Sequence, residues 1–238
     1  MKSKPIKGYF SKFEIALWTI SVSLIIISFS VFDRKNYITL VASLLGATSL
    51  IFNAKGNPIG QALIVVFSIL YGIVSYTFAY DGEMITYLGM TAPMAIIALV
   101  AWLKNPYKGN KAEVKVNRLR WKEIILMAAL TIAVTIAFYF ILWYFNTANL
   151  LPSTLSVTTS FIAVYLTFRR SPYFAIAYAA NDIVLIVLWI LATLTDISYL
   201  SVTICFAVFL VNDIYGFVNW LKMSKRQHNQ EEIQCSEK

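Results

Sequence analysis

Two Asn-Asp pairs, Asn181-Asp182 and Asn212-Asp213, stand near the middle of long apolar runs. An ionised Asp at the bilayer centre costs roughly 2.5–3.5 kcal/mol on insertion scales, so such groups ordinarily face a water-filled cavity, pair with another group or bind something. Helical spacing gives each pair companions. Tyr178, Asp182 and Trp189 follow a step of four and then seven residues and share one side of a helix. Asn212, Tyr215 and Asn219 step by three and four and share one side of another. Asp213 then lies about 100° around that helix. Gln61 and Tyr71 occur in an earlier run, Gln61 near its end. Together these residues offer aromatic faces, hydrogen-bonding amides and carboxylates. That set suits an aromatic, hydroxylated solute, a cation included, because a cation over an aromatic face gains about 0.5–2 kcal/mol. The competing explanation is packing, since Asn, Asp and Tyr commonly hydrogen-bond between membrane helices. It applies to any single Asn or Tyr; for Asp182 the functional reading is favoured.

Other chemistry has little to stand on. The sequence has no P-loop, Gly-rich nucleotide motif, HExxH or GxSxG elbow, so no ATP hydrolysis, catalytic residues or cofactor is expected. The two cysteines, Cys205 and Cys235, and the lone His228 have no ligand spacing, which argues against a metal site.

The elements that must hold these groups are membrane helices. Of 238 residues, 59% are hydrophobic and 13% charged, with a mean hydropathy of +0.68; an ordinary soluble domain is roughly 25% charged. The missing polar surface is accounted for if the outside faces lipid. Eight runs approach the roughly 20 residues that a spanning helix needs: 15–32, 37–52, 60–79, 85–103, 123–145, 150–168, 173–194 and 199–221. They are too long and too continuously apolar for barrel strands. Pro93 predicts a tolerated kink in the fourth. The first run follows Lys2, Lys4, Lys7 and Lys12 without a cleavage site, and reads as a retained helix rather than a signal peptide.

With the N-terminus in the cytoplasm, 18 of the 20 basic residues fall on cytoplasmic segments and only Arg34 and Lys35 fall outside. The acidic turn residues Asp81, Glu83 and Asp196 all fall outside. Both termini are therefore expected in the cytoplasm. The net charge of +8 is explained by the positive-inside bias. The basic stretch 104–122 reads as a cytoplasmic loop near anionic headgroups rather than a nucleic-acid site. Segment 224–238 is polar and is expected to be disordered. Trp102, Trp121 and Trp220 are expected as interfacial anchors. The Gly56-x-x-x-Gly60 spacing falls in a turn and is given no weight as a packing motif.

Trp-Leu-Lys occurs at 102–104 and again at 220–222, an offset of 118, and at the same offset Leu70-Tyr71 matches Leu188-Trp189. Helices two to four and six to eight then form two parallel blocks around helix five, a recurrent transporter plan with a midplane site between repeats. The chain divides into a cytoplasmic N-terminus and extra first helix (1–36), a first three-helix repeat (37–104), a basic loop and linking helix (105–149), a second three-helix repeat (150–222) and a tail (223–238). With no ATP site and no clear proton relay, facilitated diffusion is favoured.

Leu70-Tyr71, Ala79-Tyr80-Asp81-Gly82-Glu83-Met84, Ala101-Trp102-Leu103-Lys104-Asn105, Asn181-Asp182, Leu188-Trp189 and the run from Asn212 to Trp220 occur in an order that resembles the PnuC family of vitamin transporters. The stretch from Asn105 to Val114 resembles its bacterial members. The resemblance implies a bacterial inner-membrane importer of nicotinamide riboside. It also implies a fold like that of the SWEET sugar transporters, a homotrimer, and trapping of the solute by a cytosolic kinase. The family includes thiamine and riboflavin transporters, so the resemblance leaves the substrate open among the three. Thr86-Tyr87 departs from the pattern, which carries an amide there in many members. A membrane sensor or scaffold using the basic loop is the alternative from another class, and the cost of the intramembrane Asp-Asn pairs argues against it. A membrane-embedded enzyme would need a converging nucleophile, base or metal set, and none is visible.

Overall fold

The computed structural model describes residues 8–77, 81–147 and 149–236, with side chains described as far as 233. Lys2, Lys4, Lys7, Ala79, Tyr80, Lys238 and the Cys235 side chain therefore lie outside the described residues. Eight helical segments are long and apolar enough to cross a membrane. This is the all-α, eight-span architecture expected from the sequence.

Helix α1 (Lys12–Phe32) opens on a capping box: Glu14 N–H donates to Ser11 Oγ at 3.2 Å and Ser11 N–H donates back to Glu14 Oε2 at 2.6 Å. Helices α2 (Tyr37–Ala54) and α3 (Pro58–Thr77) meet at a tight turn. Gly56 has a left-handed φ of +66° there. A Cβ on Gly60 would lie 2.3 Å from Asn53 Oδ1 and 2.7 Å from Asn53 N, so Gly60 does set the α2–α3 approach, contrary to the weight it was given.

The fourth span is broken into α4 (Asp81–Thr86), a π turn (Tyr87–Thr91) and α5 (Ala92–Lys104). Pro93 has no N–H to offer Gly89, and its ring crowds that carbonyl. The wider π turn takes up this mismatch, and such bulges frequently mark functional sites. Helix α6 (Trp121–Tyr144) buries only Thr131 and Leu142 among its described residues, so nearly all of its apolar surface is left for lipid. Helices α7 (Leu150–Phe168), α8 (Phe174–Thr193) and α9 (Leu200–Ser236) complete the chain.

Two expectations need correction. First, the tail is not disordered, because α9 runs unbroken to Ser236. The reason lies in the basic loop, which folds into a hairpin, β1 (Pro106–Tyr107) against β2 (Asn110–Val114). Lys108 and Gly109 both have positive φ, the signature of a type I′ turn. Gln227 accepts from Val116 N–H at 2.9 Å and donates to Val114 O at 3.1 Å and to Glu113 at 2.8 Å. Tyr107 donates to Gln230 at 2.8 Å, Lys115 pairs with Glu231 at 2.8 Å, and Arg226 pairs with Glu113. The tail thus satisfies polar groups of the hairpin and gains a surface to fold against. Val114 N–H reaches Gly56 O at 2.9 Å and Asn117 N–H reaches Arg170 O at 3.0 Å, tying the hairpin segment to the α2–α3 and α7–α8 turns.

Second, Trp102 and Trp220 are not interfacial anchors. Both are fully buried with centroids 5.4 Å apart. Trp102 Nε1 donates to Thr167 O at the end of α7 at 2.9 Å, and Trp220 Nε1 donates to Asn53 O at the end of α2 at 2.7 Å. Buried indoles need such a partner. Of the three, only Trp121, 75% exposed, has the surface of an anchor.

Candidate functional site

A central cavity lies between α2, α3, the π turn, α7, α8 and α9. Asp182 comes from α8 and Asp213 from α9, and both are buried. Their carboxyl groups sit against each other, and Asp182 Oδ2 has no hydrogen-bond partner among the described residues. Asn181 also lines the cavity; its Oδ1 accepts from Thr159 at 2.8 Å and Ser160 at 3.0 Å, which orients the amide. Asn53, another lining residue, accepts from Gln61 Nε2 at 2.8 Å. Tyr178 completes this polar half, packed edge-on against Phe174 at 6.2 Å.

The other half is aromatic. Tyr71 and Tyr87 lie 4.4 Å apart, Phe67 is 6.0 Å from Tyr87 and 5.7 Å from Phe209, and Phe206 is 5.6 Å from Tyr71. Phe209 lies on the backbone of α2, where a Cβ on Gly46 would fall 2.3 Å from its Cζ. The free volume is about 40 Å³, enough for a few waters. Among the described residues no three His, Cys, Asp or Glu side chains converge in a metal-binding group.

Of the ten residues named from sequence, Tyr178, Asn181, Asp182 and Asp213 line this cavity. Gln61 and Tyr71 stand one layer behind it, through Asn53 and Tyr87. Trp189 packs behind Tyr71 with centroids 6.3 Å apart. The remaining three turn away. Asn212 donates to Ser21 of α1 at 2.9 Å, Tyr215 donates to Glu14 at 2.9 Å, and Asn219 donates to Ala54 O at 2.6 Å. Glu14 is also paired with Lys55 at 3.1 Å, so that face of α9 fastens α1 and the α2–α3 turn. Sequence reasoning missed Asn53, Tyr87, Thr91 and Ser160, all of which line the cavity. Asn53 carried a visible signal, an amide at the end of an apolar run; Ser160 and Thr91 carried none.

A family described as nicotinamide mononucleotide transporter matches residues 36–222. The chain belongs to this family. It is 29% identical over 230 residues to a nicotinamide riboside transporter PnuC from Neisseria mucosa, covering 94% of this chain and 86% of that protein. A crystal structure of the vitamin B3 transporter PnuC superposes with a TM-score of 0.80 at 25% identity, covering 92% of this chain and 95% of that one. The family is one of membrane transporters rather than enzymes. In this family member the match begins at residue 36, so α1 lies outside it, and the central cavity falls wholly within it.

Proposed function

We propose that the protein is a facilitative importer of nicotinamide riboside in the bacterial inner membrane. The observation that carries this is the pairing, in one buried cavity, of the Asp182 and Asp213 carboxyls with the rings of Tyr87, Phe67, Phe206 and Phe209. The pyridinium ring of the riboside is a flat cation, and its ribose is rich in hydroxyls. Carboxyl and aromatic groups answer the first, and Asn181, Asn53 and Tyr178 answer the second. Asp182 and Asp213 bind the cation, with Gln61 positioning Asn53 and Tyr71 positioning Tyr87. Trp189, Asn212, Tyr215 and Asn219 support the walls.

The two bundles, 37–104 and 150–222, rock about the linking segment 105–149. A ligand pocket usually offers about 300 Å³ or more, far above the cavity's free volume, so admission requires the bundles to part. The hairpin face, which carries the basic loop, is cytoplasmic, and both termini lie on that side. Three copies assemble as a homotrimer, consistent with the unburied surface of α6. No energy source is needed if the riboside is phosphorylated after entry. Thiamine is also an aromatic cation and is the sharpest competitor for the same groups; riboflavin shares the rings but not the charge.

Calorimetry on purified protein tests the assignment. Wild type should bind the riboside, and Asp182→Asn should bind it at least about tenfold more weakly. Unchanged affinity in Asp182→Asn would remove the cation role from this residue.

A further inference from the structure

Glu83 was read from sequence as an acidic turn residue on the outside. The structure buries it to 1% exposure, and neither carboxylate oxygen has a hydrogen-bond partner among the described residues. The hydroxyl of Ser156 on α7 stands beside it and likewise has no other partner among the described residues. A carboxylate stripped of water and left unpaired inside a span is costly. The adjacent Gly82 marks a close approach of α4 to the end of α6, since a Cβ there would lie 2.6 Å from Thr147 and 2.7 Å from Leu142.

Its position is informative. Glu83 precedes Tyr87 by four residues, one helical turn along the same face. Tyr87 lines the central cavity and Tyr71 packs behind it at 4.4 Å, so Glu83 stands one helical turn from that aromatic wall. It lies toward the end of the bundle opposite the hairpin, near the N-terminus of α4. The π turn that starts at Tyr87 lies between this carboxylate and the rest of the fourth span.

We propose that Glu83 is a second cation-recognition point on the solute path, taking the charged ring from the outer side before it passes the Tyr71–Tyr87 wall to Asp182 and Asp213. This rests on the riboside reading above. It gives the buried carboxylate the partner that the protein withholds, and it selects for cationic over neutral ribosides at the entrance.

The test compares initial uptake into proteoliposomes of nicotinamide riboside and of its 1,4-dihydro form, which has the same shape class and no ring charge. Glu83→Gln should slow the cation about tenfold and the neutral form by less than about twofold. Glu83→Asp, which keeps the charge, should retain the preference for the cation. The surviving uptake of the neutral form also shows that the variant folds. Equal loss of both forms in Glu83→Gln, or no loss of either, overturns the proposal while leaving the riboside reading intact. A wild type that carries neither form overturns that reading and this inference with it.

Discussion

At the scale of single residues, the molecule separates groups that bind from groups that brace, and adjacent residues do both. Asn212 and Asp213 are neighbours in sequence, yet one bonds α1 and the other enters the cavity. Their presence was legible, because polar residues in an apolar run are conspicuous. Their direction was not, because α9 is packed on more than one side and a helical wheel does not say which side holds the site. Glu83 was misplaced for a related reason: with Asp81 and Gly82 beside it, the local sequence reads as a turn, and only tertiary packing buries it. Trp102 and Trp220 were visible as a repeat, but their partners, Thr167 O and Asn53 O, are distant in sequence. Each indole adds a second, long-range hydrogen bond to a helix-end carbonyl that already accepts from a turn N–H, Arg170 N–H for Thr167 O and Gly56 N–H for Asn53 O. Replacing Trp220 by Phe should lower stability by about 0.5–1.5 kcal/mol through the lost bond, measured by thermal unfolding in detergent. A variant as stable as wild type would show that the indole adds nothing to the bond Asn53 O already accepts from Gly56 N–H.

At the scale of elements, the fourth span and the hairpin–tail unit carry the most consequence. Pro93 announced an irregular fourth span, though not a π turn that brings Tyr87 and Thr91 to the cavity. The hairpin was hidden, because two short strands in a basic loop lack the period-two pattern of a longer sheet. Its type I′ turn rests on Lys108-Gly109, a weaker cue than Asn-Gly. The tail looked disordered by composition, and it folds only because the hairpin supplies partners. Gln227 is the central link, so Gln227→Ala should strand Val116 N–H and Val114 O at about 1–3 kcal/mol. Amide exchange at Val116 and the neighbouring strand should then accelerate; unchanged exchange would mean the tail merely rests against the hairpin. Gly60→Ala should be worse than an ordinary overpacking change, which costs about 1–3 kcal/mol, because its Cβ meets the Asn53 backbone. Loss of folded protein on size exclusion is the expected result, and a normal profile would show that α2 and α3 can separate.

At the scale of the whole molecule, composition and charge went furthest. The eight spans were legible because each is long, apolar and bounded by charge, and a helix in lipid must satisfy its backbone internally. Helix α6 buries only Thr131 and Leu142 among its described residues, which leaves its apolar surface for lipid. What composition did not show is how the bundles meet: the Trp102–Trp220 crossing and the hairpin join both halves at one end, while the aromatic wall and Glu83 stand toward the other. The proposed function requires that the cavity recognise a flat cationic riboside. Calorimetry on the purified protein with nicotinamide riboside, thiamine and riboflavin in parallel tests this most directly. Saturable binding of nicotinamide riboside, markedly tighter than that of thiamine or riboflavin, is expected. Binding of either vitamin in its place, or of none of the three by folded protein, would contradict it.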